Sequence, residues 1–141
     1  MLDALKRRLA PAPHENQLEL AIAVLVHEAR RADYDEADLK ESDAGVAALR
    51  DLLGLDAVRA AELLAQGREK ARHLTSFFAP VTVIKRELGM PERVRLVEHL
   101  WRVSFADGAL NPYEDHYVRK IAHLLYVPNT ESMLARNRAR G

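Results

Sequence analysis

The chain of 141 residues contains no cysteine. This excludes a disulfide framework, a zinc–thiolate or iron–sulfur centre and a thiol nucleophile, so any metal must be held by oxygen or imidazole. Net charge is also missing: 21 basic residues balance 21 acidic ones, which removes the global field that draws proteins to nucleic acid. The six glycines are dispersed, without a G-x-G, and no loop is suited to cradling a phosphate. The longest unbroken apolar run, Leu20 to Val26, has seven residues, against the ~20 that a membrane helix needs. Met1 to Ala10 mixes leucines with basic residues and lacks the uncharged stretch of a signal peptide. The expected location is the cytoplasm. Catalytic motifs are equally scarce. His27-Glu28 is followed by Arg31 where a zinc protease needs its second histidine, and none of the serines at 42, 76, 104 and 132 lies in a nucleophile elbow.

What the chain does have is 48% hydrophobic and 30% charged residues, the balance of a single compact domain that hides about two-thirds of its unfolded surface. Apolar residues recur at helical spacing almost throughout, and no stretch alternates as a strand does. The predicted fold is all-α, one domain over residues 1–141 with seven to eight helices. Residues 1–13 form a basic amphipathic helix and linker, 14–127 the core, and 128–141 a short helix with a basic tail. In the first of these, Leu2, Leu5 and Leu9 share one helical face among Lys6, Arg7 and Arg8; that face suits either an anionic membrane surface or docking on the domain.

In the core a second helix spans about His14 to Ala32, with Leu18, Ala21, Ile22, Leu25, Val26 and Ala29 along its apolar face. Asp38, with Glu41 three residues on, is predicted to cap a third helix ending near Gly54. Asp56 opens a fourth, apolar at Val58, Ala61, Leu64 and Ala65, which runs to about Leu74 and tolerates Gly67 at a cost. A break at Thr75 to Pro80 precedes a short helix to Leu88. Pro91 starts a helix to Ala106 carrying Trp101 and Phe105, and Pro112 starts one to about Tyr126. The paired phenylalanines Phe77 and Phe78 face either the core or a partner. Arg136, Arg138 and Arg140 are expected to form a solvated, frayed end.

A shift of 74 residues superimposes Ile22 to Asp33 on Leu96 to Asp107. Both segments end in Ala-Asp, then a turn and a capped helix, so two pseudo-repeated helix–turn–helix units are predicted, with Glu28 and Arg102 as a conceivable cross-repeat pair. The second turn, A-D-G-A-L-N-P-Y-E from Ala106 to Glu114, reads mechanically: Gly108 stops a helix, Asn111 caps the next, Pro112 sets its first φ and Glu114 closes a capping box. The same string matches the second half of a calcium loop, with Asp107 at position five and Glu114 at twelve. Val103 and Phe105 stand where the first half needs oxygen, which argues against an EF-hand. Asp33, Asp35, Glu41, Asp107 and Glu114 are therefore the candidate ligands of a weak divalent-cation site. His116 and His123, seven apart, offer imidazole to a competing reading, a metal-dependent enzyme built on the turn carboxylates and a histidine.

The two Ala-Asp turns, together with L-V-E-H-L-W-R-V-S-F-A-D-G-A-L from Leu96 to Leu110, resemble the TerB-like family associated with tellurite resistance, in its stand-alone bacterial branch. The likeness runs from about Leu18 to Val127. Tyr34 departs from the usual glycine, and the Asp33–Glu41 interval is one residue longer than Asp107–Glu114. The resemblance implies an all-helical, cytoplasmic, non-catalytic domain acting in stress or tellurite resistance through protein contact, with acidic turns as cation or partner sites. It also implies a protein partner and a setting near membrane-associated resistance machinery; a homodimer built on an exposed apolar helix face is a separate reading, and the charge balance leaves no nucleic acid expected.

Overall fold

The computed structural model describes residues 13–30, 43–106 and 110–141. They form seven helices and, among the described residues, no strand: α1 (Pro13–Ala29), α2 (Ala44–Leu53), α3 (Ala57–Ala71), α4 (Phe78–Glu87), α5 (Met90–Phe105), α6 (Pro112–Leu124) and α7 (Asn129–Arg140). The all-α prediction holds.

Helix α1 is the axis of the bundle. Residues 21–26 and Ala29 are all at or below 5% exposure, so the middle of the helix is apolar around its whole girth and enclosed. It packs on α3 and α4, then on α5, α2 and α6. Gly67 of α3 makes the closest approach: a Cβ there would lie 2.7–2.8 Å from the backbone and Cβ of Ala23. The sequence reading took Gly67 as a tolerated weak point. It is instead what lets two helices meet backbone to backbone. The predicted face of α3 was rotated accordingly, since Val58 is 59% exposed whereas Ala60, Leu63 and Leu64 are buried with Gly67. The glycine, having no side chain, gave hydrophobic periodicity nothing to count.

Helix ends follow local chemistry. Asp56 caps α3 through Arg59 N–H at 2.8 Å, and Gly54 ends α2 at φ +67°. The predicted cap of α2, Asp38, lies outside the described residues, but Asp43 is extended, so α2 begins only at Ala44, with Asp43 accepting from Gly45 N–H at 2.7 Å. Helix α3 stops at Ala71 rather than Leu74. Helix α6 stops at Leu124, because Tyr126 turns to φ +60° and Val127 N–H bonds back to the Ala122 carbonyl at 2.9 Å, ahead of Pro128.

Trp101 is fully buried in α5, its indole N–H donating to Ser132 Oγ of α7 at 3.4 Å. The tail predicted to fray is helical to Arg140. The Arg136 guanidinium lies 5.5 Å from the Trp101 ring and 5.6 Å from that of Phe105, an attraction of the cation for the ring face, and Arg138 pairs with Glu98 of α5. Arg102 also pairs with Glu98, at 2.8 Å, instead of with Glu28. Phe77 faces inward, edge-on to Tyr117 at 5.4 Å, while Phe78 is 75% exposed. The pairs matched by the internal shift, Ile22 with Leu96, Val26 with Leu100 and Ala29 with Val103, are all buried; the turns that would complete the two units fall in 31–42 and 107–109, outside the described residues.

Helices α2 and α5 are pinned by His99, which is 6% exposed and 2.7 Å from Asp51. Burial lowers the pKa of His99, outweighing the opposing pull of Asp51, and Arg102 and Arg95 add to the lowering. A base disfavoured from protonating in the fold contributes stability above its unfolded value, near 6.5, that is lost as pH falls below it. Stability should thus decline from pH 6.5 downward in chemical denaturation, and His99→Gln should flatten that part of the profile. In a second measurement, Gly67→Ala should destabilise by about 1–2 kcal/mol, because overpacking against backbone (~1–3 kcal/mol) exceeds the ~1 kcal/mol gained in helix propensity. An unchanged or raised denaturation midpoint would contradict the close approach.

Candidate functional site at the acidic end of the bundle

Two acidic stretches of the sequence, residues 31–42 after α1 and 107–109 after α5, lie outside the described residues. Their starting points are neighbours. Ser104 Oγ, near the end of α5, shares its proton between the Leu100 carbonyl at 2.9 Å and the Ala29 carbonyl of α1 at 3.4 Å. Tyr117 of α6 donates to the Leu25 carbonyl at 2.8 Å. Full burial raises the pKa of this phenol well above its ordinary value, and the nearby Glu28 and Tyr113 push the same way. The hydroxyl therefore keeps its proton, and with it the bond to Leu25, beyond the ordinary phenol range.

The first segment is clasped at both ends. Arg30, 7% exposed, closes α1 and donates from Nε to both carboxylate oxygens of Asp43 at 3.1 Å, with Nη2 adding a third bond. Such a bidentate pair is the strong form of an ion pair. Asp43 is at once the cap of α2, so one carboxylate fixes both edges of residues 31–42. Gly45 makes room for it: a Cβ there would stand 3.0 Å from Asp43 Oδ1 and 3.2 Å from Arg30 Cδ.

The second segment leads into the capping box of α6. Asn111 Oδ1 accepts from Glu114 N–H at 2.8 Å, and Glu114 Oε1 accepts from Asn111 N–H at 3.3 Å. The predicted box is present, with Pro112 in the first turn. Glu114 is only 1% exposed. A carboxylate so far from water needs hydrogen bonds or a positive partner to be tolerated. One turn on, Tyr117 shares its face, and Glu28 of α1 is near enough to act on that phenol.

Of the five candidate ligands, Glu114 is thus buried at this end of the bundle, whereas Asp33, Asp35, Glu41 and Asp107 lie outside the described residues. Among the described residues no three of His, Asp and Glu converge as a metal site. His116 and His123 are exposed on α6, turned away from the inward face of Glu114; the geometry does not join them to it. Sequence reasoning missed the Arg30–Asp43 clasp and the Tyr117–Leu25 bond. The first had a signal in Asp43-Ala44-Gly45, a capping residue followed by two small ones; the second, spanning α1 and α6, had none.

The sequence model of the family described as Tellurite resistance protein TerB matches residues 19–137. This chain belongs to the TerB family. No curated protein and no solved structure matches it. The TerB match takes in all the described helices but the outer ends of α1 and α7, and with them both acidic segments. Its membership associates this helical domain with tellurite resistance.

Loss of the carboxylate in Glu114→Ala should cost the TerB domain about 1 kcal/mol through the cap alone, and Glu114→Gln, which keeps an acceptor oxygen, should cost less. Equal denaturation midpoints for wild type and Glu114→Ala would remove the capping role.

Proposed function

We propose that this TerB domain is a non-catalytic cytoplasmic module of tellurite or stress resistance that works by protein contact at its acidic end. Asp33, Asp35, Glu41, Asp107 and Glu114 there bind a divalent cation weakly and present it, or their own charge, to a partner protein. The observation that supports this most is the side-by-side emergence of both acidic segments from α1 and α5, tied by Ser104 and Ala29. Two stretches far apart in sequence, each carrying candidate carboxylates, thereby begin at neighbouring helix ends. The donors are all oxygen, which suits calcium, magnesium or manganese better than a thiophilic metal. Nothing in a chain without cysteine offers a thiol to a tellurium oxyanion, so the reading involves no direct tellurite chemistry by thiols. A membrane-associated complex is the proposed setting. A second copy of the chain is the alternative partner, recognised by a mass in light scattering that rises with concentration.

Calorimetric titration with calcium, magnesium, manganese and zinc tests the cation role. Saturable heat from at least one of the oxygen-preferring ions, abolished in Asp107→Ala, is the expected result. No heat from any ion, or heat indifferent to Asp107→Ala, would overturn it and leave the carboxylates as caps and solvated charge.

A further inference from the structure

Helices α4 and α6 lie alongside one another, tied at two points. Phe77, at the head of α4, meets Tyr117 of α6 edge-on at 5.4 Å. At the far ends Arg93 donates to the Lys85 carbonyl at 2.7 Å and to the Leu125 carbonyl at 3.3 Å, and Lys85 Nζ sits 4.4 Å from the centre of the Tyr126 ring. Two stripes border this seam on its outer side. Phe78 and Lys85 are i and i+7 on α4, and Tyr113, His116, Lys120 and His123 follow at i, i+3, i+7 and i+10 on α6, on the open side of buried Tyr117. None of these side chains is acidic. The carboxylates of the two helices sit elsewhere: Glu114 is buried, and Glu87 and Asp115 lie on the other flanks beside Arg86 and Arg119. Tyr126 sets this face apart further. The turn that ends α6 holds it at φ +60°, a region that favours glycine or asparagine, and the strained backbone carries a ring that is 68% exposed.

We propose that this α4–α6 face rests on an anionic lipid surface, with Phe78, Tyr113 and Tyr126 at the headgroup boundary and Lys85 and Lys120 over the lipid charges. Three exposed aromatics on one face are a patch that water does not reward. Tyrosine suits the bilayer interface, its apolar body toward the acyl chains and its hydroxyl toward water, and lysines beside it are drawn to the negative surface. The arrangement fits a plane better than a slot. Tyr113 and Tyr126 stand about 20 Å apart along α6, with Lys120 between them and Lys85 held in place over the Tyr126 ring, so a flat, negatively charged partner meets both ends and the cations at once. The inference rests on the membrane setting proposed above and gives it a physical contact; it asks nothing of the cation site.

Vesicle sedimentation of the full chain, in the presence of a metal chelator, tests it. The protein should pellet with phosphatidylcholine vesicles only when they contain phosphatidylserine. Lys85→Ala and Lys120→Ala should each lower the partition about fivefold, the worth of one lysine near a charged bilayer, whereas Lys70→Ala on α3 should leave it unchanged. Tyr126→Gly separates contact from folding: relief of the positive φ should keep the denaturation midpoint at or above that of wild type while the partition falls. No partition, equal partition onto both vesicle types, or losses as large in Lys70→Ala as in the other lysine variants would overturn the proposal. A poly-glutamate peptide bound in solution without vesicle binding, and released in Lys120→Ala, would overturn it in favour of an acidic protein segment. Partition lost in Leu5→Asp but indifferent to Lys85 and Lys120 would move the contact to the N-terminal leucines. Cation calorimetry needs no lipid and this sedimentation no cation, so each reading can fail without the other.

Discussion

The structure depends on the enclosure of α1. Between Ala21 and Val26 the helix is buried around its whole girth, and there its neighbours must supply every wall. Gly67 brings α3 into backbone contact with Ala23. Tyr117 and Ser104 then fix the C-terminal half of α1 against α6 and α5 through main-chain carbonyls. Burial of that many apolar side chains, each worth ~1.5–3 kcal/mol, outweighs by far the polar contacts at the helix end. Those contacts instead set position: they hold two main-chain carbonyls of α1 at fixed points against α5 and α6.

Position is what the acidic end requires. Arg30 and Asp43 close the first segment on itself, and Asn111 with Glu114 anchors the exit of the second, so a stretch after α1 and a stretch after α5 leave one end of the bundle between fixed points. Membership of the TerB family places this arrangement in a tellurite-resistance context, and the proposed cation and partner roles build on it.

Features governed by neighbouring residues were legible in the sequence. Asn111, Pro112 and Glu114 spell out a helix start within four positions, Pro91 and Pro128 punctuate others, and the stripe carrying Trp101 could only be core. Features governed by distant residues were not. Gly67 matters because of Ala23 and Asp43 because of Arg30. Arg136 looked like a solvated tail until α7 laid it on the rings of Trp101 and Phe105. Asp38 with Glu41 read locally as the capping pair, whereas the helix from Ala44 is capped by Asp43, which also pairs with the buried guanidinium of Arg30. For the candidate site, sequence found Glu114 and its capping role but not its depth, which comes from the packing of α6 on α1.

The claim on which the functional account stands is that the ends of α1 and α5 are neighbours. Solution NMR tests it directly, through nuclear Overhauser contacts from the Ser104 side chain to the backbone protons around the Ala29 carbonyl and from the Tyr117 ring to those around the Leu25 carbonyl. Both sets of cross-peaks are predicted, and they should persist on addition of a divalent cation. Their absence from an otherwise well-dispersed helical spectrum would separate the two acidic segments and contradict the shared end.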